Sequence, residues 1–323
     1  MPGVDPAEAV RVVAGETDFA FVPELPGRGV GADPIGRTAS ILIDLPVEMM
    51  HATYRCSYRP GAVARAARDY LARDLDALEE HWDREGLIGS GRLLKVQACG
   101  PFTYAARVEL RSGHKMVRDA GAVRDVVASL ADGLVDHVAD LERRLGAQIV
   151  VQLDEPDLQT VIDGRVPPLT RLDVIPPIPV PDVAQHLEEV AATVRRPMIL
   201  HAGPRPNPAV RALIPSYAPT ADLTKPLTDA DKDDIGQFLD GGGVLVAGAV
   251  PAKRPAVVPD AEEIARRLAA VVDEIGLDRS VLRDGVVVTP TSGLAAASPA
   301  WAVTALELAA RTAQILTEDP EAL

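Results

Sequence analysis

Apolar residues follow two rhythms along the chain. Short runs rich in Val, Ile, Leu and Ala recur at Leu93 to Ala98, Ala147 to Leu153, Pro197 to His201, Val244 to Ala249 and Gly285 to Thr289, each ending in loop residues. Such runs are too short for helices and suit the strands of a buried sheet. Between them the spacing changes to that of amphipathic helices. Val63, Ala67, Tyr70, Leu71, Leu75, Leu78 and Trp82 make one apolar stripe, and Val123, Val127, Leu130, Leu134, Val138, Leu141 and Leu145 another. Further helices are predicted at Val183 to Val194, Ala261 to Ile275 and Trp301 to Leu316. Strand and helix alternate, and alternation of this kind means a parallel sheet, open or closed.

Composition narrows the picture. Aromatic residues are only 3% of the chain while prolines number 28, so the core must be aliphatic and the loops rich in rigid turns. The length of 323 residues suggests two domains on average sizes, yet single α/β barrels reach the same length. No linker or shift in composition divides the sequence, so we read one domain over residues 1–323. Its least regular part is Pro204 to Lys225, where Pro204, Pro206, Pro208, Pro215 and Pro219 oppose long elements and a weak strand falls around Ala221 to Thr224. A net charge of -14 without a basic run argues against nucleic acid and anionic membrane surfaces as partners. With no apolar stretch of membrane-spanning length and no signal-like start, the expected location is the cytoplasm. Cys56 and Cys99 could form one bridge at most and are expected to be free thiols.

Candidate chemistry gathers at strand ends. Gln152 and Asp154 share one face of their strand while Leu153 and Glu155 share the other. A carboxylate at the end of a buried strand needs a cation, metal or amine to meet it. In a barrel this is the place of substrate-binding groups. The alternative is that Asp154 caps the following turn and Glu155 pairs with an Arg. His201 closes the next strand, as a functional or a hydrogen-bonded structural histidine. His81, His137 and His186 lie inside helical patterns and read as surface or packing residues. The segments Gly100-Pro101-Phe102-Thr103 and Thr289-Pro290-Thr291-Ser292-Gly293-Leu294 are either turns or substrate-facing loops. No base adjoins Cys99, which favours an inert buried thiol. The loop from Glu24 to Asp33 carries Arg28, with Arg37 soon after; it matches neither a dinucleotide fingerprint nor a P-loop and reads as a loop able to hold an anion.

Taken in order, Gly100-Pro101-Phe102-Thr103, Val151-Gln152-Leu153-Asp154-Glu155-Pro156, Ile199-Leu200-His201 and Pro290-Thr291-Ser292-Gly293-Leu294 resemble the catalytic barrel of the cobalamin-independent methionine synthase family, which shares its fold with uroporphyrinogen decarboxylase. Pro23-Glu24-Leu25-Pro26-Gly27-Arg28-Gly29 is similar to short, single-barrel members. The resemblance implies methyl transfer to the thiol of homocysteine, held by zinc as thiolate, with Asp154 at the position that holds the substrate amine. The family ligates zinc with a His-x-Cys pair, a Glu and a second Cys. Here His201 remains, but Gly203 and Ser292 stand at the cysteine positions, and no Glu occurs between Glu189 and Glu262, leaving Asp222 as the nearest substitute. The family's first strand ends in a Gly-Ser-x-Pro turn, whereas this chain begins within that motif, at Met1-Pro2-Gly3. Either the first strand is lacking or the reading frame extends upstream.

The expected architecture is therefore a (β/α)8 TIM-type barrel with its first strand lacking or truncated. His201 and Ser292 are the expected catalytic positions, and Asp154, Gln152, Thr103 and Arg28 the expected substrate-binding ones, around a small amino acid or thiol. No cofactor is expected, zinc entering only if other residues rescue the site. The expected function is that of a divergent methionine-synthase-like protein with altered or lost S-methyltransferase activity. A non-catalytic ligand-binding barrel, or a metal-free lyase or decarboxylase using Arg28 or Arg37, stays open beside it.

Overall fold

A computed structural model describes residues 1–170, 173–204 and 208–323. Its strands are β1 (Ala20–Phe21), β2 (Val47–Met50), β3 (Thr53–Cys56), β4 (Leu93–Cys99), β5 (Gln148–Asp154), β6 (Met198–His201), β7 (Tyr217–Asp222), β8 (Leu245–Val250) and β9 (Val286–Pro290). Seven of these form one parallel sheet in the order β1-β4-β5-β6-β7-β8-β9, which curls into a half-barrel. β2 and β3 form a separate antiparallel hairpin. The helices are α1 (Pro6–Glu16), α2 (Pro34–Ile41), α3 (Ala62–Arg84), α4 (Pro101–Arg107), α5 (Ala120–Leu145), α6 (Leu158–Ile162), α7 (Val180–Val194), α8 (Pro208–Arg211), α9 (Asp229–Asp240), α10 (Ala261–Ile275), α11 (Val281–Asp284) and α12 (Pro299–Glu318). No described helix is long and apolar enough to cross a membrane.

Side-chain alternation sorts the strand residues into two hydrophobic clusters. Leu94, Val96, Ala98, Val151, Leu153 and Leu200 face outward and join the large core shared with the helices. Val150, Ile199 and Val246 face the other way and form a small inner cluster with Phe19, Ala218 and Val287. Polar Lys95, Gln97, Gln152, Asp154 and His201 share this inner face, the lumen of the half-barrel.

The five strands and five helices expected from the pattern are all present, with ends displaced by at most three residues. The strand expected around Ala221 begins earlier, at Tyr217, and runs through Pro219. Proline gives no ladder hydrogen there, which hid the strand from its sequence. Helix α9 was hidden by its acidic composition; its start is held by Thr228 and Asp231, which cap each other's backbone amides. Pro206 lies outside the described residues. The sheet has seven parallel strands among the described residues, with β1 and β9 at its two ends, a curled half-barrel consistent with the TIM-type expectation. Burial differs along it, since all six residues of β8 are buried whereas all five of β9 are half-buried.

Helix α5 approaches α2 through Gly133, where an added Cβ would stand 2.1 Å from the carbonyl oxygen of Ile41. Glycine to alanine within a helix ordinarily stabilises by up to ~1 kcal/mol. Here the clash with backbone outweighs that gain, because overpacking costs about 1–3 kcal/mol and the atom met is a main-chain oxygen rather than the end of a flexible side chain. Gly133→Ala is expected to lower stability by roughly 1–2 kcal/mol, read as a lower urea midpoint at unchanged slope.

Candidate functional site

The mouth of the sheet is set by register. Cys99, Asp154 and His201 are successive partners across β4, β5 and β6, so the Asp154 and His201 side chains leave neighbouring strands at one level. Below Asp154 a polar chain runs along the inner face. The Lys95 ammonium donates to Gln152 Oε1 at 3.0 Å, and Gln152 Nε2 donates to Asp154 Oδ1 at 2.7 Å. With Lys95 on the amide oxygen, the amide nitrogen must face the carboxylate. Burial lowers the pKa of Lys95, while Asp154 and Glu24 pull it back upward. Burial raises that of Glu24 against the opposing pull of Arg37, whose Nε lies 3.6 Å from the Glu24 carboxylate.

His201 Nδ1 is 2.8 Å from the hydroxyl of Thr220 on β7. Asp222, two residues further along, accepts from the amide and hydroxyl of Thr224 and from Lys225. Burial pushes the Asp222 carboxyl up, but these donors together hold it below its usual value. Gly248 on β8 lets the loop after β9 close in, since a Cβ there would stand 3.0 Å from the Thr291 Cα and 3.1 Å from the Ala221 carbonyl oxygen. Ser292 follows in that loop and is exposed.

Two expected substrate-binding residues are engaged elsewhere. Arg28 forms a two-pronged pair with Asp74 of α3, both bonds 2.7 Å, and stacks on Tyr70. Arg37 donates to the same carboxylate, which is 1% exposed. Thr103 is also buried; its hydroxyl and amide both go to Glu155, at 2.6 and 2.7 Å. The Phe102 amide adds a third donor at 2.8 Å. Glu155 thus points outward into the first turn of α4, where free amides favour an anion. An added Cβ on Gly100 would stand 2.4 Å from this carboxylate. The Gly-Pro-Phe-Thr and Asp-Glu-Pro segments, far apart in the chain, are two halves of one clasp. Cys99 is buried beside it, and burial together with the Glu155 charge pushes its thiol well above the ordinary value. His137 is held neutral in the opposite sense, pushed down to about 4 by burial.

Lys95, Gln97 and Glu24 were not singled out in the sequence. A signal existed for the first two: in Leu93 to Ala98, polar Lys95 and Gln97 alternate with apolar neighbours inside a strand whose outer face is fully covered. Among the described residues no three His, Cys, Asp or Glu side chains converge so as to hold a metal.

A family model described as cobalamin-independent synthase, catalytic domain, matches residues 2–315. No curated protein matches the sequence significantly. Among solved structures, a B12-independent methionine synthase from Shewanella sp. W3-18-1, in complex with selenomethionine, is similar with a TM-score of 0.63 and 12% identity, over 98% of this chain and 89% of that one. At that identity the likeness speaks to the fold.

The clasp generates a pH dependence. Burial raises the Glu155 carboxyl to about 7, against the lowering effect of its three donors. The folded chain therefore keeps a proton on Glu155 that the unfolded chain has already released. The resulting stabilisation is complete below the unfolded value near 4.5 and is lost as pH rises through about 7. Glu155→Gln has no such titration. The stability advantage of the natural chain over this variant, from urea midpoints, is expected to shrink by roughly 1–3 kcal/mol between about pH 5 and about pH 8.

Proposed function

Since the chain belongs to the family of cobalamin-independent synthase catalytic domains, we propose that it binds a small amino acid at the mouth of its sheet, as a divergent methionine-synthase-type protein in which metal-dependent activation of a thiol is lost. The observation that carries this reading is the placement of Asp154 beside His201 at the ends of adjacent parallel strands, with Gln152 fixing one carboxylate oxygen. An ammonium group meeting Asp154 there makes a charge-assisted hydrogen bond in a partly dehydrated site. The selenomethionine in the Shewanella structure is a ligand of this chemical class.

The zinc that the family implies does not suit the donors present. His201 has one ring nitrogen on Thr220, and Gly203 has no side chain. Ser292 offers only a neutral hydroxyl, a poor ligand beside a thiolate. Asp222 is occupied by Thr224 and Lys225, and the Cys99 thiol is kept protonated by burial. Without a metal, a substrate thiol with an ordinary pKa near ~8.5 is mostly protonated at neutral pH, and the attacking thiolate is scarce. The lyase reading finds little support, because Arg28 and Arg37, the cations it would need, are both bound to Asp74.

Methionine and homocysteine are expected to raise the melting temperature of the purified protein. Asp154→Asn should weaken their binding by roughly 10- to 100-fold, the worth of a hydrogen bond to a charged group, measured by calorimetry. Homocysteine methylation should remain undetectable and elemental analysis should find no stoichiometric zinc. One zinc per chain, lost together with methyl transfer in His201→Ala, would overturn the proposal and restore a zinc methyltransferase.

A further inference from the structure

The inner face of β4 carries two polar side chains that the proposed function leaves unused. Lys95 is the register partner of Val150 and Gln97 that of Gln152, so both stand on the face of Asp154, below its level. Lys95 gives one hydrogen to Gln152 and rests its ammonium 5.3 Å from the centroid of the Phe21 ring. An ammonium has three hydrogens to give, and no other acceptor among the described residues is bonded to this one. Gln97 shows the opposite need. Its Nε2 donates to the Val22 carbonyl oxygen at 2.8 Å, which fixes the amide, and leaves its buried Oε1 without any partner. A buried acceptor left unpaired costs free energy comparable to a lost hydrogen bond, so this oxygen is suited to a donor from outside the chain.

Together these groups provide, within one lumen, spare donors on a cation, an orphaned acceptor and a carboxylate. We infer that Lys95 receives the carboxylate of an α-amino acid whose ammonium lies between Asp154 and Gln97, making Lys95 the residue that selects for a free carboxylate. This rests on the reading of Asp154 given above and adds the other end of the ligand. The charge balance favours a zwitterion. Lys95 faces both Asp154 and Glu24, and Glu24 in turn faces Arg37 and the buried Met1 ammonium, so a ligand that brings one charge of each sign leaves the net charge of this cluster unchanged. A bare amine or a bare acid would add an uncompensated charge to a desolvated space.

Calorimetry on the full chain separates the two ends of the ligand. The probes are L-methionine, its methyl ester, γ-(methylthio)propylamine, which lacks the carboxylate, and γ-(methylthio)butyrate, which lacks the amine. The natural protein is expected to bind methionine roughly 10- to 100-fold more tightly than the ester. Lys95→Met should abolish that preference, and Lys95→Arg, which keeps the charge, should retain part of it. If Lys95→Met does not fold, as judged by thermal melting, Lys95→Gln supports the same comparison. Persistence of the acid-over-ester preference without the Lys95 charge overturns the inference, as does equal binding of acid and ester by the natural protein. The two readings fail separately. Binding of the butyrate that is lost in Lys95→Met but kept in Asp154→Asn supports the role of Lys95 even if no amine probe depends on Asp154. Binding of the amine lost only in Asp154→Asn, with no ester discrimination, supports Asp154 and overturns Lys95.

Discussion

Glu155 closing on the first turn of α4 orders the mouth of the sheet. Its carboxylate receives the amides of Phe102 and Thr103 and the Thr103 hydroxyl, and it is fully buried. Because neighbouring side chains of a strand point to opposite faces, holding Glu155 outward commits Asp154 to the inner face. The same contact fixes where β4 stops and α4 starts, and so the level at which Cys99, Asp154 and His201 come abreast. Two adjacent carboxylates in one motif are thereby separated into different environments: one shut into the helix core with its pKa raised, the other available at the lumen.

The lumen obeys a second constraint, that charge taken from water must be met. Arg28 and Arg37, from two different elements, are both bound by Asp74. That pairing explains why a glycine-rich loop bearing an arginine, which reads from sequence as an anion site, has no guanidinium to offer. Lys95 is the inner-face cation that remains within reach of Gln152 and Asp154, and it was less conspicuous in the sequence than either arginine.

Much of the architecture was legible because it rests on periodicity. Runs such as Ala147 to Leu153 and the stripe from Val123 to Leu145 are local signals, and the structure reproduces both. What escaped was what depends on partners distant in the chain. β1 is two residues long and exists through its pairing with Leu94 and Lys95. β7 contains a proline that argues against a strand until β6 and β8 hold it from both sides. The site divides in the same way. The positions of Asp154 and His201 follow from strand ends visible in the sequence, whereas the diversion of Thr103 to Glu155 and of Arg28 to Asp74 spans contacts no local pattern encodes.

The half-buried last strand of the sheet bears on how the protein behaves in concentrated solution. Val286, Val287 and Val288 are consecutive β-branched residues, and among the described residues β9 is paired along one flank only. A strand of this composition with an open flank is a template for pairing with another chain, and natural sheets usually blunt such edges with lysine, proline or a covering segment. Here Pro290 guards only the final position. This end strand, which α12 covers on one face, leads directly into the loop that carries Ser292, so pairing of its flank with another chain would disturb the ordered mouth as well.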